Sequence, residues 1–153
     1  MRKLKNMEEF KRDIEYRVKV QDDESILLTG TMQDRFHDIA IDVVVDGDSL
    51  AIIDCHAIFL KVPSPYCGRV LKRFDLLKGV VIGKGLSRSL ATVFGGQEGC
   101  GNLRTLLIGL LPLALNVRAS VGTSDEEELL DTIHQHLKGT CAGYPAEGES
   151  QKD

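Results

Sequence analysis

The stretch HDIAIDVVVDGDSL, residues 37–50, decides the fold that this sequence predicts. Over residues 37–45, apolar side chains alternate with polar or small ones, which is the pattern of a β-strand with one buried face. His37 falls on the apolar face of this strand. Residues 46–48, Asp-Gly-Asp, then predict a tight hairpin, because Asp-Gly tolerates the positive φ angles that a primed turn demands.

The sequence on both sides of this hairpin predicts the rest of a sheet. Before it, apolar and charged residues alternate, and the acidic residues 22–24 mark a turn. After it, the apolar run that contains Cys55 is the returning strand. Consecutive strands with short connections favour an antiparallel meander. The predicted strands are residues 14–20, 26–32, 37–45 and 50–60.

The second half of the chain has the apolar spacing of helices. We predict a short helix closed by Gly79, a second capped by Ser87, a third that starts near Cys100 and a fourth capped by Ser124. The expected fold class is α+β, with an antiparallel β-meander of about four strands followed by about four helices packed on one face.

Length and charge limit the functions to consider. The 153 residues fit a single domain, with an ordered core over about 10–143 and a polar tail over 145–153. The 19 basic and 23 acidic side chains give a net charge of -4. This balance argues against a partner recognised mainly through its phosphate backbone, so no nucleic acid is expected.

Two segments bear on location. Residues 1–10 carry charges but lead into no apolar stretch, so they do not resemble a secretory signal and a cytoplasmic location is expected. The longest apolar run, residues 106–115, is shorter than the ~20 residues that cross a bilayer, so no membrane is expected. Pro112 lies within this run and predicts either a kink or a restart of the helix.

Cysteine placement provides the main functional indication. Cys67, Cys100 and Cys141 lie in turns flanked by glycine or proline, whereas Cys55 lies in an apolar run. Cytoplasmic thiols stay reduced, so these residues are expected to pack, to bind a metal or to react, and not to form disulfides.

The three turn cysteines and His37 together form a candidate metal site. Three thiolates and one imidazole would complete a tetrahedral site for zinc or for an iron-sulfur cluster. The cysteines are 33 and 41 residues apart, which is not the close paired spacing of a zinc knuckle. The alternative is that all three are small packing residues.

Two weaker candidates concern reactivity and anion binding. Cys100 follows a glycine-rich loop and precedes a helix, where the helix dipole would favour a thiolate nucleophile. Lys84 lies within the glycine-rich turn 82–85 and Arg88 follows it; this turn precedes another helix and could offer backbone N–H groups to an anion. That turn lacks the P-loop pattern and also fits an ordinary strand-to-helix connection.

The order of these pieces resembles an uncharacterised bacterial family, the domain-of-unknown-function family numbered 2889. The resemblance covers about residues 10–144. Its matching pieces are the strand start at residues 37–39, Pro-Tyr-Cys at 65–67, Leu-Lys-Gly at 77–79, the turn 82–85, the glycines and Cys100 in 95–103, and Gly-Thr-Cys at 139–141.

At two positions the chain departs from what the family pattern implies. Asn102 and Ala142 stand where members of the family often have histidine, which implies that any site built from those histidines is altered here. The strand-then-helix order with dispersed cysteines also resembles the NifU and SufE scaffold proteins of iron-sulfur assembly. This second likeness concerns the fold alone.

Three functions remain open at this level. The first is a small cytoplasmic protein that holds zinc or an iron-sulfur cluster through Cys67, Cys100, Cys141 and His37. The second is an interaction module that binds an unknown protein partner or forms a homo-oligomer, with the cysteines serving only as packing. The third is a cysteine-dependent enzyme that uses Cys100, although a non-enzymatic role is favoured because no triad or carboxylate pair is recognisable.

Overall fold

The computed structural model describes residues 9–146. Four antiparallel strands form one sheet in the order β1-β2-β3-β4, so each strand pairs with its neighbour in sequence. The predicted meander is confirmed, and each observed strand overlaps its predicted range. The strands are β1 (Arg12–Val20), β2 (Ile26–Asp34), β3 (Asp38–Val45) and β4 (Ile52–Lys61).

The turn between β3 and β4 forms for a reason that differs from the predicted one. Gly47 does not adopt a positive φ, and the left-handed residue of this connection is Leu50, with φ 58°. A Cβ atom at Gly47 would lie 2.2 Å from the carbonyl oxygen of Glu24. Glycine is therefore needed here for a close approach between two turns and not for its φ angle.

Four α-helices and one 3₁₀ helix follow the strands in the described part of the chain. The predicted caps are wrong at two of them, because Gly85 and not Ser87 precedes α1, and Asp125 and not Ser124 caps α4. The Asp125 carboxylate accepts hydrogen bonds from the N–H groups of Glu127 and Glu128. The helices are the 3₁₀ helix (Cys67–Leu77), α1 (Leu86–Phe94), α2 (Gly101–Leu110), α3 (Leu113–Ser120) and α4 (Glu126–Leu137).

One face of the sheet is buried by the 3₁₀ helix, α1 and α2. Side chains from alternate positions of β2 and β3 fill this face, and α2 packs against β2. Phe74 of the 3₁₀ helix meets Phe94 of α1 edge to face at 5.2 Å between ring centroids. Cys55 is buried at 6 % exposure, which confirms its place in the core.

The stretch Gly101–Ser120, interrupted at residues 111–112, has the length and composition of a membrane-spanning helix. Its first half, α2, buries one side in the first unit. Leu103, Leu107 and Leu110 are fully buried against the rest of the core. The helix ends at Leu110 and restarts after Pro112, which is one of the two predicted outcomes.

The chain divides into two compact units, Met1–Ala114 and Leu115–Asp153. The first contains the sheet, the 3₁₀ helix, α1 and α2. Within the second, α4 has no buried residue, and His134 lies edge to face with Tyr144 at 5.5 Å. Organisation of the whole chain as one domain stays a prediction.

Candidate functional site

A cavity of about 400 Å³ opens at one end of the sheet in the first unit. This volume lies in the range of small-ligand sites. Its wall combines apolar side chains, two thiols, an imidazole and charged groups. The lining residues are His37, Ile39, Phe59, Val62, Tyr66, Cys67, Arg69, Val70, Lys72, Gln97, Glu98, Gly99 and Cys100.

Three parts of the fold converge on this cavity. The start of β3 and the end of β4 provide one wall, since Ile39 and Phe59 are register partners on these strands. The first half of the 3₁₀ helix provides the second wall. The loop between α1 and α2 provides the third and ends at Cys100, the residue that precedes α2.

The loop before α2 depends on a glycine at position 99. The N–H of Cys100 donates to the carbonyl oxygen of Phe94 at 2.9 Å, which folds the loop back on the end of α1. A Cβ atom at Gly99 would lie 1.9 Å from the same oxygen. Only glycine therefore allows this backbone approach, which places Cys100 on the cavity wall.

His37 is held in place by Asp34. The Asp34 carboxylate accepts hydrogen bonds from the backbone N–H groups of Phe36 and His37 at 2.7 and 2.8 Å. The same carboxylate oxygen lies 2.9 Å from Nδ1 of the imidazole. The Asp34 side chain is fully buried and that of His37 is 14 % exposed. The turn before β3 thus fixes the orientation of the imidazole.

Arg12 and Asn102 close a ring of hydrogen bonds with Asp34 and His37. Arg12 donates to Asp34 at 2.7 Å and to Oδ1 of Asn102 at 3.2 Å. Because Oδ1 of Asn102 accepts from Arg12, its amide NH₂ faces Nε2 of His37, at 3.2 Å. Nε2 therefore carries the lone pair and Nδ1 carries the proton that is donated to Asp34.

The same ring keeps Asp34 ionised. Burial by itself would raise the pKa of Asp34, but hydrogen bonds from the Phe36 N–H, the His37 imidazole and the Arg12 guanidinium outweigh it. The pKa of this carboxyl is consequently held far below its usual range. A buried carboxylate with these partners is a fixed negative charge behind the imidazole.

The outer part of the cavity wall is cationic. Arg69 lies over the ring of Tyr66, with 4.5 Å between the guanidinium carbon and the ring centroid. Lys72 follows one turn later in the 3₁₀ helix. Among residues 9–146, neither cation has a carboxylate oxygen within 4.0 Å. Glu98 is paired with Arg73 at 3.2 Å.

The structure places three of the four predicted metal ligands on this wall. His37, Cys67 and Cys100 all line the cavity, whereas Cys141 is an exposed residue of the second unit. Within residues 9–146, no group of three or more His, Cys, Asp or Glu side chains is arranged to hold a metal ion. The four-ligand site for zinc or an iron-sulfur cluster therefore gains no support here and stays a prediction.

The remaining candidates lie outside the cavity. Lys84 and Arg88 are exposed, at and after the turn that precedes α1. The Cys55 thiol donates to the carbonyl oxygen of Phe74 at 3.1 Å, and burial raises its pKa to about 11. This thiol belongs to the core and is not expected to react at neutral pH.

Sequence reasoning missed the groups around His37. Asp34 lies between the second and third predicted strands, and an aspartate three residues before a histidine is a recognisable turn signal. Arg69 and Lys72 are three residues apart, a spacing that places two cations on one helix face. The link from Arg12 to Asn102 spans 90 residues of sequence and has no local signal.

Comparison with known proteins places the chain in a family. Residues 10–116 match the family model described as "Protein of unknown function (DUF2889)", so the chain belongs to this family. No curated protein and no solved structure matches it. The family prediction is thus confirmed, whereas the likeness to NifU and SufE finds no support. All residues that line the cavity lie in the matched range, and Cys141 lies outside it.

Replacement of Asp34 by asparagine is expected to reduce the acid sensitivity of the fold. Asp34 stays ionised in the folded state far below the ~3.9 at which an unfolded aspartate takes up its proton, so its contribution to stability is complete only at pH values well above ~3.9. Acidification below about pH 5 then progressively removes the contribution as the unfolded state binds protons. Melting temperatures are measured by circular dichroism from neutral pH to about pH 3. The melting temperature should fall less steeply with decreasing pH for Asp34→Asn than for the unmodified protein.

The melting temperature of Asp34→Asn should still fall to some extent as the pH is lowered. Asp23 and Asp46 also have lowered pKa values, chiefly through hydrogen bonds with Ser25 and Ser49. Asp131→Asn removes the same formal charge from the exposed surface of α4 and serves as the matched control. Equal slopes for Asp34→Asn and the unmodified protein would contradict the role given to the ring.

Replacement of Gly99 by alanine is expected to destabilise the first unit by about 2 kcal/mol, because the backbone of Phe94 must move away. Gly101→Ala is the matched control, since a Cβ atom there meets nothing within 4 Å and its effect should stay within about 0.5 kcal/mol. Urea denaturation followed by circular dichroism measures both. Equal stability of the two variants would show that the loop adapts without cost.

Proposed function

We propose that this protein binds a small organic anion in the cavity at the end of the sheet. The observation that carries the proposal is the cationic rim, in which Arg69 and Lys72 face a cavity without carboxylate partners among residues 9–146. A guanidinium can hold a carboxylate or phosphate through two parallel hydrogen bonds, and a lysine adds a point charge. An anion bound in the cavity would therefore supply the negative charge that these two cations lack.

The apolar part of the wall supports an organic ligand over a bare ion. Ile39, Phe59, Val62 and Val70 contribute the apolar part of the lining, in the same cavity as the charged rim. A ligand with an acidic head and an apolar tail would bury its tail there, with a gain of about 0.8 kcal/mol for each buried methylene group. The ligand class proposed is thus a small carboxylate or phosphate ester that carries a hydrocarbon part.

Straight-chain carboxylates from acetate to octanoate, with inorganic phosphate as a compact anion, test this proposal by isothermal titration calorimetry. We expect affinity to rise with chain length until the tail fills the cavity, since each added methylene leaves water. The double variant Arg69→Gln/Lys72→Gln should bind about tenfold more weakly, because charge-assisted hydrogen bonds are lost.

The glycine-rich turn provides a matched control. Lys84→Gln/Arg88→Gln removes the same charge from the other candidate anion site and should leave the affinity unchanged. If only Lys84→Gln/Arg88→Gln lost affinity for the ligands, anion binding would instead be assigned to the turn before α1. Absence of binding for every ligand in the series would contradict the proposal.

A second candidate function is thiol chemistry at Cys100. His37 and Cys100 line the same cavity, and the ring of hydrogen bonds leaves the lone pair of the imidazole on Nε2. A nucleophile, a base and a carboxylate that orients the base are the groups that covalent catalysis by cysteine requires. Asn102 already donates to Nε2, so a reacting thiol would have to displace that hydrogen bond.

Alkylation with iodoacetamide at neutral pH tests this second function. The thiols are followed one by one by mass spectrometry of the digested protein. We expect Cys100 to react faster than the exposed Cys141, and Cys55 to stay unmodified because burial raises its pKa to about 11. His37→Ala should slow the alkylation of Cys100 several-fold and leave the alkylation rate of Cys141 unchanged. Equal rates at Cys100 and Cys141 in the unmodified protein would exclude an activated nucleophile.

A further inference from the structure

Strand β1 forms one edge of the sheet. It pairs with β2 over all nine of its residues, and no other described segment pairs with it. An edge of this length leaves a row of backbone N–H and C=O groups that can accept another strand.

The sequence of β1 is self-complementary in charge. Two copies placed antiparallel about a two-fold axis at Tyr16 would set Asp13 opposite Lys19 and Glu15 opposite Arg17. These four side chains share the sheet face that carries no helix in the first unit, because their partners on β2 lie on that face. Every cross-strand charge pair in this arrangement would thus be attractive.

Other pairings of two β1 strands place like charges opposite each other. A shift of the antiparallel register by two residues puts Glu15 opposite Glu15 in one direction and Arg17 opposite Arg17 in the other. A parallel arrangement in register puts each charge opposite its own copy. Charged side chains on an edge often prevent pairing by repulsion, but in the Tyr16-centred register there is no repulsion to prevent it.

The opposite face of β1 offers apolar surface to the same partner. Ile14 and Val20 are 42 % and 43 % exposed, although they share the face of the sheet that is buried elsewhere. In the register centred on Tyr16, Ile14 would lie opposite Val18 of the second copy. In this register, opposed residues are an even number of positions apart in the sequence. Such residues direct their backbone N–H and C=O groups to the same side of the strand, so the outward-facing groups of the two copies also meet.

We propose that a second copy of this chain docks antiparallel along β1, so that two four-stranded sheets join into one of eight strands. The two-fold axis passes between the two copies of Tyr16, perpendicular to the joined sheet. The helices that cover the two sheets therefore lie on the same side. The contact is isologous, as expected for a two-fold homodimer. It is independent of the anion proposed for the cavity.

The oligomeric state across a dilution series, measured by analytical ultracentrifugation, tests this arrangement. The unmodified protein should dissociate from dimer to monomer on dilution. Glu15→Arg places two arginines opposite each other and should raise the dissociation constant about tenfold or more. The double variant Glu15→Arg/Arg17→Glu exchanges the signs and should restore the dimer.

The other edge of the sheet provides the control. Asp54→Arg reverses an exposed charge on β4 and should leave the dimer intact, with circular dichroism confirming that every variant is folded. A monomer at all concentrations would overturn the proposal, as would a dimer that survives Glu15→Arg. Failure of the double variant to restore association would overturn the Tyr16-centred register.

Discussion

Burial of one face of the β-meander is the constraint on which the rest of this structure depends. β2 and β3 present apolar side chains at alternate positions, and that face is too large to leave in water. α2 and the 3₁₀ helix supply cover over β2 and β4, and Leu103, Leu107 and Leu110 of α2 are fully buried. The helices that cover the sheet also determine where the loops and the ends of the strands meet, and the cavity forms at that place.

A polar ring is built into this apolar framework. The buried carboxylate of Asp34 must be paired, because an unpaired charge in the interior is strongly unfavourable. Arg12 and His37 supply the side-chain partners, and Asn102 bonds to both of them, so the ring connects β1 and the turn before β3 to the first turn of α2. The pairing that satisfies the charge also fixes the imidazole that faces the cavity, so the stability of the fold and the geometry of the site depend on the same contacts.

Asn102, which stands where the resemblance implies a histidine, has a defined role in the ring of hydrogen bonds. An amide there donates to Nε2 of His37 and accepts from Arg12, which a second imidazole would do differently. Nearby, two cations that have no carboxylate partner among residues 9–146 and an apolar lining characterise the wall more clearly than the two thiols do. This combination favours anion binding over metal binding as the role of the cavity. The open edge of β1 is a separate surface, because none of its residues lines the cavity.

The sequence by itself determined the order and faces of the strands, the start of α2 after Cys100 and the core position of Cys55, whereas His37, predicted on the apolar face of β3, lies in the turn before that strand. These features follow from local periodicity and composition, which act over a few residues. Only the tertiary structure decided that Asp34, Arg12 and Asn102 form a ring of hydrogen bonds with His37, and that Cys141 belongs to the second compact unit whereas the cavity residues belong to the first. Periodicity states which face a side chain occupies but not which distant side chain it meets, because that depends on how helices and strands pack.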